Sequence, residues 1–349
     1  MNEKVLAREL PVPSFFDLDK VGEVWQVPYQ ERAAQAREYA QKYNISPASA
    51  DKFRISLVLV DVQNTFCIPG FELFVGGRSG VGAVQDNKRL CQFIYRNLAR
   101  LTQIEATMDT HYAMQIFHPV FLVDKDGKHP DPYTLVGRSD LQEGRWMFNA
   151  AVSEMLGISA EYGQRHLEHY VKELEDRKKF DLTIWPYHAM LGGIGHALVS
   201  SVEEAIFFHS LARYSQPEFN IKGRNPLTEH YSVVGPEVVE GPDGKKLAEK
   251  SKEFLQKVID FDAVIICGQA KSHCVAWTVS DLLADIRTHD AKLARKVYLL
   301  EDCSSPVVVP GAVDYTEAAE AEYRRFAEAG MHLVQTDQAM EEWPELPSA

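Results

Sequence analysis

The run Ile55-Ser56-Leu57-Val58-Leu59-Val60, closed at once by Asp61, constrains this chain more than any other stretch. A continuous aliphatic and β-branched segment has no polar face to give to water. It therefore predicts a strand buried on both sides, as in a parallel sheet, with the acid delivered to the carboxyl end. Comparable runs span Ile104 to Met108, Ala263 to Cys267, Val297 to Leu300 and Met331 to Val334, with helical patterns at Asn87 to Leu101, Lys246 to Ile259 and Tyr315 to Ala329. Strands alternating with helices predict an α/β fold, a doubly wound three-layer arrangement around a mostly parallel sheet. Such sheets bind ligands outside the carboxyl ends of their strands, and Asp61, Asp109, Asp302 and the turn at Gly268 all fall along that rim.

Composition narrows the partners. The 37 basic and 50 acidic residues leave a formal net charge of −13, which argues against nucleic acid or an anionic membrane surface and favours a small-molecule substrate. No apolar stretch follows the start, and no run approaches the roughly 18 apolar residues of a spanning helix, so a cytoplasmic protein is expected. Cys67, Cys91, Cys267, Cys274 and Cys303 form no CxxC pair and are expected as reduced thiols. Residues 1–52, with a charged helix at Tyr29 to Tyr43, are expected as an N-terminal extension to a catalytic domain over 53–340. A segment at about 120–180, helical from Glu161 to Lys179, is expected as an inserted lid or interface. Lids are often completed by neighbours, so a homo-oligomer, at least a dimer, is expected.

The richest chemistry lies in Cys267-Gly268-Gln269-Ala270-Lys271-Ser272-His273-Cys274-Val275. A thiol there sits just past a buried strand and at the start of the helix opened by Val275-Ala276-Trp277, whose N–H groups favour a thiolate and offer donors to an oxyanion. A thiolate nucleophile also needs a proton acceptor and a positive neighbour. Asp61 is the candidate base, and Lys222, in Asn220-Ile221-Lys222-Gly223, the candidate cation. Separately, Asp109-Thr110-His111 places a carboxylate and an imidazole on one side of an extended chain, a spacing suited to one divalent metal, with His188 as a third ligand. Zinc, iron or manganese would accept that set.

Together these segments closely resemble the nicotinamidase branch of the isochorismatase-like cysteine hydrolases, over roughly Ile55 to Thr336. Leu59-Val60-Asp61-Val62-Gln63-Asn64-Thr65-Phe66 is similar to that family's opening strand, which implies Asp61 as catalytic acid/base and Phe66 as an aromatic of the pocket wall. Met108-Asp109-Thr110-His111 and Trp185-Pro186-Tyr187-His188 resemble its metal motifs, implying Asp109, His111 and His188 as ligands and Trp185 as a wall. Lys222-Gly223 with Tyr231-Ser232 resembles the catalytic lysine segment, and Tyr231 and Gln269 are expected at the substrate. The nucleophile loop implies attack by Cys274, an oxyanion hole from the N–H groups of Ala270 and Cys274, and a cis peptide at Gln269-Ala270. Three features depart from the family, one of them an interval from Asp109 to His188 much longer than usual. Gln115 stands where many nicotinamidases have a further histidine, leaving the parts of Gln115 and His118 open, and Lys271-Ser272 replaces the usual Thr-Asp.

The resemblance implies a metal-assisted cysteine amidohydrolase passing through a thioester, with nicotinamide the leading substrate. The alternatives are a sibling amidase for a carbamoyl or maleamate-type compound, a hydrolase of vinyl ethers, which the presence of Cys274 disfavours, and a non-catalytic binding member. His129, His166, His169 and His289 are expected in solvent, and Cys67 and Cys303 are expected to be structural.

Overall fold

The computed structural model describes residues 8–347, so the first residues of the expected extension lie outside the described residues. Along the chain come α1 (Tyr29–Lys42), β1 (Ile55–Val60), α2 (Gly82–Arg96) and β2 (Gln103–Asp109). An insertion follows with β3 (Leu122–Val123), β4 (Leu135–Val136), β5 (Met147–Phe148), α3 (Ala160–Asp176) and β6 (Leu182–Thr183). Then come α4 (Ser200–Arg213), β7 (Glu218–Lys222), α5 (Glu253–Asp260), β8 (Ala263–Gly268), α6 (Ala276–His289), β9 (Val297–Leu300), α7 (Thr316–Glu328) and β10 (His332–Val334).

The central sheet has the order β10-β9-β8-β1-β2-β7, and every pairing in it is parallel. Successive side chains of a strand point to opposite faces. Accordingly Ile55, Leu57 and Leu59 enter one apolar cluster, with Leu90, Phe93 and Ile94 of α2, whereas Val58 and Val60 enter another, with Val279, Leu282 and Leu283 of α6. A third cluster, including Phe121, Phe148, Leu167, Tyr170 and Trp185, belongs to the insertion. Among the described residues no helix is long and apolar enough to cross a membrane.

The expected strands are present within a residue or two, but two helices differ from expectation. The helix expected at Asn87 starts earlier, at Gly82, and stops at Arg96, because the chain turns there: Arg100 and Leu101 N–H both bond the Asn97 carbonyl. Residues 246–252 are not helical, and α5 begins only at Glu253. His166 is buried, not solvated, with Nε2 2.7 Å from the Leu227 carbonyl oxygen. All five cysteines are free and buried.

The strand order explains where a site can form. From β1 the chain builds outward to β2 and β7, then returns to the other side of β1 for β8, β9 and β10. The order reverses between β1 and β8, and that junction opens a crevice at the carboxyl ends. There Val60 lies opposite Gly268. A side chain at Gly268, whose φ is +126°, would meet the Val60 carbonyl oxygen at 2.1 Å, so only glycine admits this approach of the two strands.

Candidate active site

Asp61 ends β1 in the left-handed region, with φ +49°. That conformation is costly for a non-glycine residue and is held here by the surrounding structure. Thr107 of the adjacent β2 supplies part of that support: its hydroxyl accepts from Asp61 N–H at 3.1 Å and donates to Oδ1 at 2.6 Å. The other carboxylate oxygen, Oδ2, lies 2.9 Å from Lys222 Nζ in an ion pair that lacks an aligned hydrogen bond. A lone pair is thereby left for another proton.

Lys222 reaches this point because β7 pairs with β2 in a register that sets it beside Asp109. Its ammonium lies 2.9 Å from Asp109 Oδ1, 2.9 Å from the His230 carbonyl oxygen and 3.6 Å from Cys274 Sγ. Burial opposes its charge, but Asp109 and Asp61 outweigh burial and hold the pKa well above the ordinary lysine value. Burial pushes Asp61 up, against the pull of Lys222. Burial also pushes the Cys274 thiol well up, Lys222 opposing, with Asp61 in hydrogen-bonding reach of the sulfur. Cys274, Asp61 and Asp109 thus all meet at the Lys222 ammonium.

Cys274 closes the crevice from the β8 side, in a single π-helical turn, Lys271–Val275, that leads into α6. The Gln269–Ala270 peptide is cis, as the resemblance implied. The Ala270 N–H makes no hydrogen bond among the described residues, which suits an oxyanion donor. Lys271 anchors the turn: its N–H bonds the Ser305 carbonyl at 2.8 Å, and its ammonium pairs with Glu320 at 2.7 Å and Glu301 at 3.3 Å.

Asp109, His111 and His188 offer ligand atoms that all lie within 4.8 Å of one another, and all three residues are buried. Each imidazole is oriented from behind, His111 Nδ1 3.2 Å from the Gly223 carbonyl oxygen and His188 Nδ1 2.8 Å from that of Pro186. With Nδ1 donating, each Nε2 presents a lone pair, toward an Asp109 Oδ2 that is 2.7 Å from His111 and 3.6 Å from His188. The 2.7 Å contact is a hydrogen bond when His111 carries its proton on Nε2, and a metal-ligand pair when it does not. The donor set therefore fits a divalent cation. Gly223, with φ +83°, stands against this group: a Cβ there would lie 2.7 Å from His111 Cε1 and 3.0 Å from Asp109 Oδ1. Gln63 clamps Asp109 from below, accepting from its N–H at 2.7 Å and donating to its carbonyl at 2.9 Å.

A pocket reaches both groups, through Cys274 on one side and Asp109 and His188 on the other. Phe66, Trp185 and Tyr231 wall it, with Asp109, His188, Ala270 and Cys274 at its polar end. Trp185 is fixed by donating its Nε1–H to Tyr231 Oη at 2.9 Å. Gln269 lies elsewhere: its amide donates to Asp86 at 2.8 Å and accepts from Ser305 N–H at 3.3 Å, on the far side of the loop. Gln115 is a backbone clamp, donating to the Gly223 carbonyl at 2.6 Å. His118 stands edge-on to the Asp-His-His group, its ring centroid 5.8 Å from that of His188, and its buried Nε2 lacks a partner among the described residues.

The roles of Glu229, Thr107 and Gln63 were not evident in the sequence. Glu229 lines the cavity, its carboxyl pushed up to about 8 by burial and by Asp109, yet a lone glutamate in a loop carries no periodic signal. Thr107 and Gln63 act on neighbouring strands, and the alternation of β2 and the residue two past Asp61 were the available hints. His273, adjacent to the nucleophile, does face the cavity, with its pKa lowered to about 3 by burial. An open pocket near Asn44 and Lys52 has its buried arginines already engaged, Arg213 with Asp51 and Arg100 with Glu341.

No family model matches the chain, and no curated protein matches it. Among solved structures it is similar to the yeast nicotinamidase Pnc1p, at 18% identity over 80% of this chain and 99% of that one, with a TM-score of 0.47. It is also similar to the nicotinamidase pyrazinamidase of Acinetobacter baumanii, at 17% identity over 81% and 97%, with a TM-score of 0.45. The pyrazinamidase of Pyrococcus horikoshii, solved in complex with zinc, gives 18% identity over 81% and 99%, with a TM-score of 0.40. Likenesses this distant add nothing to the chemistry, which rests on the chain's own geometry: a thiol that lines an aromatic-walled pocket, an acid and a cation packed against that thiol, and a buried Asp-His-His group beside them.

Proposed function

We propose that this chain is a metal-assisted cysteine amidohydrolase whose leading substrate is nicotinamide. The observation that carries the proposal is the contact of Lys222 Nζ with Cys274 Sγ at 3.6 Å and with Asp61 at 2.9 Å, beside a cavity walled by aromatic rings. Asp61 takes the thiol proton as sulfur attacks the carboxamide carbon, and Lys222 holds the developing thiolate. The N–H groups of Ala270 and Cys274 bind the oxyanion. When the C–N bond breaks, Asp61 returns the proton to nitrogen and ammonia leaves a thioester. A water then gives a proton to Asp61 and attacks the carbonyl carbon. Collapse releases the acid, and the proton on Asp61 goes back to sulfur. A divalent ion held by Asp109, His111 and His188 would supply Lewis acidity to orient the substrate's ring nitrogen. Phe66 and Trp185 position a flat ring, a demand that a non-aromatic amide does not make.

The test is ammonia release from nicotinamide by purified protein, wild type beside Cys274→Ala, with chelator and with added zinc, iron or manganese. Turnover lost in the variant, lost to chelator and restored by metal is the expected result. Silence on nicotinamide under every metal would overturn the substrate, and silence across a panel of small amides would overturn the amidase itself.

A further inference from the structure

One wall of the pocket carries a polar group that the proposed reaction leaves unused. His273 lines the pocket with Trp185 and Tyr231 and is only 4% exposed. Four aromatic rings pack against its imidazole, with centroids at 4.7 Å for Tyr315, 4.8 Å for Phe180, 5.3 Å for Tyr231 and 5.7 Å for Trp185. The neighbouring Ser272 decides where the ring proton sits. Ser272 Oγ accepts from Val307 N–H at 3.1 Å and lies 2.8 Å from His273 Nδ1. The hydroxyl proton has no other acceptor among the described residues, so it goes to Nδ1. A neutral imidazole that accepts at Nδ1 carries its own proton on Nε2. Burial keeps the ring neutral, its pKa lowered to about 3. Nε2 makes no hydrogen bond among the described residues and is not sealed within protein. The outcome is a neutral N–H donor, fixed by its surroundings and open to the pocket. An unmet donor in such a place costs free energy, which a ligand recovers by bringing an acceptor.

We propose that His273 is a specificity residue, whose Nε2–H selects a ring carboxamide carrying a second hydrogen-bond acceptor on the edge that faces Trp185 and Tyr231. Nicotinamide has one ring acceptor, and the reaction proposed above gives it to the Asp-His-His group. That group stands beside Phe66, whose ring centroid is 5.7 Å from that of His188, whereas His273 stands among Trp185, Tyr231 and Phe180. The pocket thus offers two polar hooks, and the ligand that meets both has an acceptor for each. A site built to hydrogen-bond a substrate group disfavours the analogue that lacks it, because its own donor is then left unpaired. The choice of a ring carboxamide rests on the amidohydrolase reading, whereas the free donor does not.

The test measures binding, by calorimetry on the Cys274→Ala protein with zinc added, so that no probe is consumed. Nicotinamide is compared with diazine carboxamides, in which one further ring C–H becomes nitrogen without added bulk, and with methoxynicotinamides, which place an oxygen acceptor further out. At least one of these is expected to bind about fivefold tighter than nicotinamide, the worth of one neutral hydrogen bond. A diazine so preferred identifies a ring-nitrogen acceptor, and a methoxy compound an oxygen one. The preference is expected to vanish when His273→Phe is added. No preference anywhere in the panel, no binding by any probe, or a preference that survives His273→Phe overturns the inference. Should that variant fail to fold, the wild type decides: nitrogen NMR of histidine-labelled protein is expected to find the His273 proton on Nε2, with its resonance moved by the preferred probe. A proton on Nδ1, or an unmoved resonance, overturns it. Nicotinamide binding with no preference removes the role of His273 and leaves the amidohydrolase reading, whereas a preference with no ammonia released by the wild type does the reverse.

Discussion

Asp109 gives its two carboxylate oxygens to different tasks, Oδ1 to Lys222 and Oδ2 to the two histidines. Lys222 and the Asp-His-His group are therefore coupled through one side chain. Asp61 has the cleaner role and gives the sharper expectations. Asp61→Asn removes the proton acceptor and should lower kcat by about 10²- to 10⁴-fold with little change in KM, measured as ammonia release. For the wild type, the active form needs Asp61 as a carboxylate, and burial raises its pKa. Activity is then lost as pH falls through that raised value, so the acid limb of kcat/KM should have its midpoint above about 4, the ordinary carboxylate value. A midpoint at or below that value would contradict the desolvated base. At this scale the sequence was legible where a residue ends a strong pattern, as Asp61, Asp109 and Cys274 do. It was silent on Glu229 and misleading on Gln269, whose side chain the loop turns toward Asp86.

Among the elements, the short strand β7 contributes most for its length. Phe219 and Ile221 are exposed at the sheet's free edge while Lys222 is buried, and this half-solvated pattern is why the sequence did not present β7 as a core strand. Its last residue leads into Gly223, where a methyl group would collide with His111. Gly223→Ala should lower divalent-metal affinity by about 10- to 100-fold, read by metal titration, while circular dichroism stays that of the wild type. The nucleophile turn offers a second handle in Lys271, bound to Glu301 and Glu320. Lys271→Met leaves two partly buried acids without their cation and should destabilise the protein by about 2 kcal/mol in urea unfolding, with Lys271→Arg recovering most of it. The insertion was visible in the sequence as a length of chain, but not its contact with the nucleophile turn. Phe180, just beyond α3, sets its ring 4.8 Å from that of His273, a pairing of distant residues that no local periodicity encodes.

For the whole molecule, acid stability follows from histidines buried as neutral rings. His209 of α4, bonded to the Leu101 carbonyl, has its pKa lowered from 6.5 to about 4 by burial. The native state holds it neutral, whereas the unfolded chain takes up a proton below 6.5. Its stabilisation is complete above pH 6.5 and is lost as pH falls toward 4, at about 1.4 kcal/mol per pH unit. His209→Gln should flatten the pH dependence of urea unfolding by about 1 kcal/mol per unit between pH 6 and 4.5. An unchanged slope would show that the ring is not held neutral.

The reversal of strand order at β1 also decides when the machinery exists. The stretch from Ile55 to Lys222 brings its own acid, its lysine and all three metal-type ligands, whereas the sulfur arrives only with β8, on the opposite side of β1. A chain halted before Ala263 carries Asp109, His111 and His188 but not Cys274. In chain order the sulfur thus joins these groups in one step, with the docking of the fourth core strand.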